Sequence, residues 1–263
     1  MGGLLARTWM DRHYLTRLCK PPVARLIECG SPRHGVWLRP FSRALIRLGC
    51  VPGRRLARAM LAPNPWLWDL AWKEAGHAEL LPPVAALTGH WQRLNWMAPV
   101  LGGAPSDGVV PLASSNPNPL FLRPGHAAFR FPLRAFRVVP GFGHNRPRGL
   151  LSHLRDDSAA DPVWRAVQAL LDGEEPRVEG YAEERAAYFY VRSSSGAPTL
   201  RLGDGPEQRP RFHDGGCLNL FRISCGNPGL PQLRDGGRTW TLAELGLPEG
   251  PAPGGIHYVD LAG

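Results

Sequence analysis

The chain has 263 residues, 43% of them hydrophobic and including nine Trp and nine Phe, so it can bury a sizeable core and lacks the composition of a disordered protein. It has no run near the roughly 18 apolar residues of a membrane span, and the sequence as given begins without the features of a signal peptide. The formal net charge is +9, but the basic residues are all arginine except Lys20 and Lys73, and they are spread out without a nucleic-acid-binding motif, so no specific nucleic-acid partner is expected.

The first third of the chain predicts a helix, a strand and then further helices. Apolar residues recur at helical spacing over residues 1–18, and two prolines follow. Residues 23–29 are mostly apolar and predict a strand, which stops at the turn residues Gly30-Ser31-Pro32. Residues 36–92 are rich in tryptophan and predict helices that prolines interrupt.

The middle of the chain predicts two more strands and the clearest helix. The strands are expected at residues 94–101 and 135–139, with an irregular stretch rich in Pro and Asn at 116–132 between them. The helix is expected over residues 161–171, because Asp161 suits the cap position and a proline follows it at the first helical position.

The order of these elements predicts two structural parts. Strands and helices alternate up to about residue 173, which favours an α/β architecture with a mostly parallel sheet covered by helices, assigned here to residues 1–175. The remainder, residues 176–263, predicts a small β-rich module, because its strand-like runs are separated by Gly, Pro and Asp. Those runs span residues 185–192, 199–202 and 217–224.

Metal and cofactor sites are not predicted. The five cysteines include no Cys-x-x-Cys pair, and their odd number argues against a disulfide framework. The nine histidines show no spacing typical of zinc ligands, and no cofactor motif is present.

Two segments near the start resemble lipases. Met1-Gly2-Gly3, followed by the strand at 23–29 and by Gly30-Ser31-Pro32-Arg33-His34-Gly35, is similar to the region just after the nucleophile in these enzymes. There, a Gly-His-Ser-Met-Gly-Gly elbow opens a helix, and the next strand ends in a Gly-Thr-Pro-His-x-Gly turn. The resemblance is to bacterial lipases and esterases related to GPI-inositol deacylases, and it implies a partial α/β-hydrolase fold with a helical cap or lid over about residues 36–92.

The resemblance implies where the nucleophile belongs. In such an elbow the serine occupies a tight strand-to-helix turn, and small residues beside it allow helix and strand to approach closely. Met1 would then supply an oxyanion-hole N–H, and Gly2 and Gly3 would be the remnant of the elbow. The serine would stand immediately before Met1, so we expect a start just after the nucleophile, no nucleophile within the chain and no activity of the chain as given.

The resemblance also implies an acid and a base. Ser106-Asp107-Gly108 is similar to the acid loop of the family, in which an aspartate orients the catalytic histidine. His144 follows the strand predicted at 135–139 and is the favoured base, with His153 as the alternative.

Trp66, Trp68 and Trp72 lie where lipases carry a lid. A lid would present these rings to an ester or lipid substrate, or to a lipid surface. The alternative interpretation is that they pack a cap helix onto the core.

The leading hypothesis is therefore a carboxylic-ester hydrolase of the lipase or esterase class, acting through a serine acyl-enzyme. The alternatives are a non-catalytic binding protein derived from a decayed hydrolase and, more distantly, a basic nucleic-acid binder. If the chain is truncated, the strand at 23–29 loses a neighbour, and its exposed edge predicts self-association.

Overall fold

A computed structural model describes residues 2–37, 58–90, 104–144, 161–173, 184–202, 205–214, 216–225, 231–248 and 250–263. Its α-helices include α1 (Gly2–His13), α2 (Pro65–Gly76) and α3 (Pro162–Leu171), with short 3-10 segments at Leu15–Arg17, Ala78–Leu80 and Ala113–Ser115. The strands are β1 (Leu26–Cys29), β2 (Val84–His90), β3 (Leu120–Leu122), β4 (Phe129–Arg130), β5 (Ala135–Pro140), β6 (Ala186–Arg192), β7 (Thr199–Leu202), β8 (Glu207–Gln208), β9 (Phe212–His213), β10 (Leu218–Ser224), β11 (Pro231–Asp235), β12 (Arg238–Thr241) and β13 (Ile256–Asp260).

The first sheet is parallel, with the strand order β1-β2-β5. Helix α3 covers one face, where Val163 and Ala166 join Leu87 of β2 and Val139 of β5 in a buried cluster. A parallel sheet covered by helices is the arrangement that the alternation of elements predicts.

Two helices begin directly after a residue whose side chain suits the N-cap position. The side chain of Asp161 accepts hydrogen bonds from the backbone N–H groups of Val163 at 2.8 Å and Trp164 at 3.1 Å, and a proline opens α3. The side chain of Asn64 accepts from the backbone N–H of Trp66 at 2.9 Å, again with a proline at the first position of α2. Each cap satisfies backbone donors that the helix itself cannot pair.

The prediction that residues 36–92 are helical is wrong for the last part of this range. Val84–His90 is the central strand β2 of the parallel sheet, and it is buried on both faces up to its last residue. A strand buried on both faces has no alternation of polar and apolar residues, so its period does not distinguish it from a buried helix. The strand predicted at 94–101 lies outside the described residues.

The later strands form two more sheets. One has six strands in the order β4-β3-β13-β6-β10-β9, and the other has four antiparallel strands in the order β12-β11-β7-β8. The six-stranded sheet contains strands from both sides of the boundary expected near residue 176. Strand β3, which precedes this boundary, pairs in parallel with β13, which follows it. Strands β3 and β4 also correct the expectation that residues 116–132 are irregular throughout.

Strand β6 connects two hydrophobic cores. Tyr188 and Tyr190 point into a core that includes two tryptophans of α2, Trp68 and Trp72. Phe189 and Val191 point into a core shared with the four-stranded sheet. This alternation follows from the two-residue period of a strand. The six-stranded sheet is thus covered on both faces, and α2 is fixed on the face that belongs to the first part of the chain.

Strand β1 has one partner among the described strands, which is β2. The expected self-association through its other edge stays a prediction. Within the described ranges, no helix combines the length and the apolar character needed to cross a bilayer.

Candidate active site

An imidazole and a carboxylate meet at the carboxyl end of the parallel sheet. Nδ1 of His144 lies 2.8 Å from Oδ2 of Asp107. The carboxylate side chain is fully buried, and the imidazole side chain is 26% exposed. The structure therefore brings together Asp107 and the favoured histidine, while the alternative, His153, lies outside the described residues.

The loop around Asp107 holds the carboxylate in one orientation. Its Oδ1 accepts hydrogen bonds from the backbone N–H groups of Val109 at 2.9 Å and Val110 at 2.7 Å. The backbone N–H of His144 donates to the carbonyl oxygen of Asp107 at 2.7 Å, which ties the two loops together. Both carboxylate oxygens are thus occupied, and only Oδ2 faces the imidazole.

This pairing fixes the tautomer of a neutral His144. A carboxylate accepts hydrogen bonds, so Nδ1 carries the proton and donates it to Oδ2, while Nε2 keeps a lone pair. Nε2 has no hydrogen-bond partner among the described residues. The arrangement can accept a proton at Nε2 and stabilise the resulting imidazolium through the carboxylate.

Two glycines permit this close assembly. Gly30 has a φ of +57°, and a Cβ at this position would lie 3.1 Å from Oδ2 of Asp107 and 3.2 Å from Nδ1 of His144. A Cβ on Gly89, in β2, would lie 2.2 Å from the carbonyl oxygen of Phe142, in the loop that leads to the histidine. The role of Gly89 was missed from the sequence, because it depends on a contact between distant segments.

The amino end of α1 lies close to this site. A Cβ on Gly3 would lie 2.5 Å from Oγ of Ser31, and Ser31 directly follows Gly30. Gly2 is exposed and has open space around its Cα, and Met1 lies outside the described residues. Gly3 therefore lies beside the turn after β1, and Gly30 of that turn adjoins Asp107 and His144.

A buried cluster of charges joins α1 to β1 and α2. Arg7 of α1 pairs with both carboxylate oxygens of Glu74 of α2, at 2.7 and 3.1 Å. Arg33 lies 2.7 Å from Glu28 of β1 and 3.2 Å from Glu74. Burial alone would raise the pKa of Glu74, but the two guanidinium groups overcome it and hold this pKa at about 2. The cluster therefore fixes the helix whose amino end adjoins the site.

His34, in the turn after β1, has a structural position. Its Nε2 lies 2.8 Å from the carbonyl oxygen of Asn116, so Nε2 carries the proton, and Nδ1 accepts from the hydroxyl of Tyr258 at 2.8 Å. Burial, with the nearby guanidinium groups, outweighs the hydrogen bond to Asn116 and lowers the pKa of His34 to about 3. Both ring nitrogens are occupied, so this histidine has no free base position.

The three tryptophans of α2 divide between core and surface. Trp68 is buried with its ring centroid 5.2 Å from that of Tyr258, and the ring of Trp72 contacts Phe121 at 4.9 Å. Trp66 is 36% exposed. The contacts of Trp68 and Trp72 are those of core packing, whereas Trp66 is available at the surface.

The described residues contain no group of three or more His, Cys, Asp and Glu side chains that could hold a metal ion.

Comparisons with known proteins identify the fold. No protein-family model matches the chain, and no curated protein has significant sequence similarity to it. Among solved structures, the phospholipase PlaB from Legionella pneumophila is similar with a TM-score of 0.65 and 18% identity. The similarity covers 99% of this chain and 74% of the PlaB chain. The chain therefore shares the fold of this solved structure over nearly its whole length.

Proposed function

We propose that this chain carries the acid and base of a carboxylic-ester hydrolase that uses a serine acyl-enzyme. The contact between His144 and Asp107 is the observation that carries the proposal. A buried carboxylate, a partly exposed imidazole and an Nε2 without a described partner are features that suit general-base catalysis.

In this mechanism each residue has a defined task. Nε2 of His144 removes the proton of the serine hydroxyl as it attacks the ester carbonyl, and later returns a proton to the departing alcohol. The same nitrogen then activates water, which releases the acid from the enzyme. Asp107 keeps the imidazole in the correct tautomer and stabilises its charged form.

The nucleophile in this proposal belongs at the amino end of α1. The contact of Gly3 with Ser31, beside Gly30 and the imidazole, supports that position. The lipase resemblance assigns the serine to the residue before Met1, with the N–H of Met1 in the oxyanion hole. Among the described residues, no serine donates a hydrogen bond to His144.

The fold comparison supports a proposed substrate class. PlaB is named a phospholipase, and we extend this to lipid esters as the substrates of the proposed site. Trp66, exposed on α2, is the residue of the proposed lid that could contact an acyl chain or a lipid surface.

The test compares the 263-residue chain with the same chain extended upstream by the in-frame residues of its gene. Hydrolysis of p-nitrophenyl butyrate and of phosphatidylcholine in mixed micelles is measured for both. We expect turnover only from the extended chain, with loss in His144→Ala and retention in His153→Ala, which is the matched histidine control.

Turnover by the extended chain that survives His144→Ala would contradict the proposal. Turnover by the 263-residue chain that His144→Ala abolishes would support the base but show that another residue is the nucleophile. An in-frame stop codon directly upstream, or no turnover with the serine present, would favour the non-catalytic binding protein instead.

A further inference from the structure

A cavity lies at the opposite end of the parallel sheet from Asp107 and His144. It has a volume of about 370 Å³ and opens where β1, β2 and β5 begin. Because β5 has six residues and a strand rises about 3.3 Å per residue, roughly 20 Å separate the two ends. Its lining includes Arg25, Leu81, Val84, Leu133, Arg134 and Leu170, and we call it the amino-end cavity.

Arg134 is a buried cation without a described counter-ion. It is 7% exposed, and its guanidinium lies 3.6 Å from the ring centroid of Phe131. Its side chain makes one described hydrogen bond, from Nη1 to the carbonyl oxygen of Pro117 at 3.4 Å. No carboxylate of the described ranges forms an ion pair with it. Burial, followed by the like charge of Arg33, lowers its pKa to about 9.

Glu74 and Glu28 attract Arg134 and act to raise its pKa, but burial and the like charges of Arg33 and Arg7 outweigh them. Arg7 forms an ion pair with Glu74, and Arg33 forms ion pairs with both Glu28 and Glu74. In this part of the described structure, the three buried guanidinium groups of Arg7, Arg33 and Arg134 lie near the two buried carboxylates of Glu28 and Glu74. One further anion beside Arg134 would balance the cluster and relieve the cost of a buried, unpaired charge.

The rest of the amino-end cavity is apolar, with a second arginine at its edge. Leu81, Val84 and Leu170 line the walls, and Leu133 is 58% exposed beside the opening. Arg25 is half-buried there, and its guanidinium donates to the carbonyl oxygen of Leu170 at the end of α3. The volume falls within the range of roughly 300–1,000 Å³ that is typical of small-molecule sites.

We propose that the amino-end cavity binds an amphipathic anion, with a carboxylate or phosphate head group on Arg134 and an alkyl chain along the apolar wall. The side-chain chemistry specifies both parts, since a guanidinium donates to carboxylate or phosphate oxygens and the leucines and valine exclude polar groups. The site is separate from the proposed ester hydrolysis and does not depend on it.

The test is calorimetric titration of the protein with sodium laurate and with dodecyl phosphate, both below their micelle concentrations. Dodecanol, which lacks the charge, and acetate and inorganic phosphate, which lack the chain, are the controls. We expect saturable binding of one equivalent of a chain-bearing anion and at least roughly tenfold weaker binding of all three controls. The laurate and dodecyl phosphate arms distinguish a fatty-acid from a phosphate head group.

Three variants locate the binding. Arg134→Gln removes the charge, and Leu133→Glu places a repelling carboxylate on the exposed rim, where it does not disturb the core. Both should weaken binding by roughly tenfold or more, whereas His144→Ala should leave it unchanged. The thermal melt of each variant checks the fold, and Leu133→Glu decides the matter if Arg134→Gln does not fold.

Equal laurate affinity in the wild type and in folded Leu133→Glu and Arg134→Gln would overturn the proposal. Loss of binding in His144→Ala would also overturn it, since the ligand would then occupy the other end of the sheet. Binding of dodecanol as tight as that of laurate would also overturn the proposal, because it would show that the cavity does not recognise a charged head group.

Discussion

The backbone of Gly30 passes so close to His144 that a Cβ on Gly30 would lie 3.2 Å from Nδ1 of the imidazole. The same Cβ would lie 3.1 Å from Oδ2 of Asp107. The end of β1 is thus one wall of the acid–base pair, and any side chain at Gly30 competes with the hydrogen bond between the two residues.

Gly30→Ala is expected to be destabilising and to disturb the pair. The left-handed φ of +57° costs a non-glycine residue roughly 1–2 kcal/mol, and the added methyl group must push Asp107 or His144 aside. Chemical unfolding measures the first effect, and the hydrogen-bonded Nδ1 proton of His144 in NMR spectra measures the second.

Gly125→Ala is the matched control for this experiment. Gly125 has a φ of +73°, and a Cβ there meets nothing within 4 Å. It should therefore show the backbone strain alone and leave the Nδ1 signal of His144 unchanged. An unchanged His144 signal in Gly30→Ala would contradict the prediction, because the added methyl group would then fit beside Asp107 and His144 without displacing either.

The sequence predicts those parts of the molecule that local signals specify. The cap at Asp161 and the apolar run at residues 135–139 correspond to α3 and β5, because caps and strand patterns depend on neighbouring residues. Strand β2 was misassigned, because a strand buried on both faces has no alternation to recognise. Strand β13 was not predicted at all, and its place between β3 and β6 depends on pairing with distant segments.

Part of the candidate site could likewise be predicted from the sequence, and part of it could not. Asp107 and His144 were selected from the lipase resemblance and the order of elements, and the structure brings them to 2.8 Å. The burial of Arg7 against Glu74 could not be predicted, because the two residues are 67 positions apart and each is typical of a surface helix. Only the packing of α1 against α2 buries both.

Glu74→Gln is expected to destabilise the protein strongly. The substitution leaves Arg7 and Arg33 buried without the charge that they share, and breaking a buried pair in this way costs roughly 3–5 kcal/mol. Urea unfolding at pH 7 gives the difference in the free energy of unfolding. The matched control is Glu207→Gln, whose pair with Arg234 is about half exposed and should contribute at most about 1 kcal/mol.

Acid should weaken the same interaction. The folded pKa of Glu74, about 2, is below the ordinary glutamate pKa of 4.5. The unfolded state therefore binds the proton first, and the stabilisation is complete above about pH 4.5 and is lost as the pH falls towards 2. Glu74→Gln should lose less stability than the wild type between pH 5 and pH 3. Parallel losses in both proteins would show that Glu74 does not contribute to the acid response.

As the pH falls, the buried histidine His257 should begin to reduce the free energy of unfolding at a higher pH than Glu74 does. Burial lowers the pKa of His257 to about 4, against about 6.5 in an unfolded chain. The unfolded state takes up the proton first, so stability is complete above pH 6.5 and decreases by up to about 1.4 kcal/mol per pH unit towards pH 4.

The variant His257→Phe tests this slope. The ring of His257 stacks on Phe189 at 4.4 Å, so phenylalanine can keep the packing while it removes the titrating group. Urea unfolding from pH 7 to pH 4.5 should give a shallower decrease for His257→Phe than for the wild type. His126→Gln, at an exposed histidine, is the control and should keep the wild-type slope. An equal slope in all three proteins would contradict the prediction.

Asp107→Asn should reverse the tautomer of His144 without changing its position. Oδ1 of Asp107 accepts from the N–H groups of Val109 and Val110, and only a carbonyl oxygen can replace it there. The amide nitrogen of the asparagine must then take the place of Oδ2 and point an N–H at Nδ1 of the imidazole. Nδ1 becomes an acceptor, the proton of the neutral ring moves to Nε2, and the lone pair that the proposed mechanism needs is lost.

Long-range 1H–15N NMR spectra of the ring nitrogens at pH 8 read the tautomer of His144 directly and require neither substrate nor nucleophile. His34 is the internal control, since the carbonyl of Asn116 holds its proton on Nε2 and this signal should be the same in both proteins. An Nδ1–H tautomer that persists for His144 in Asp107→Asn would mean that the carboxylate does not orient the ring, and the proposed role of Asp107 would be wrong.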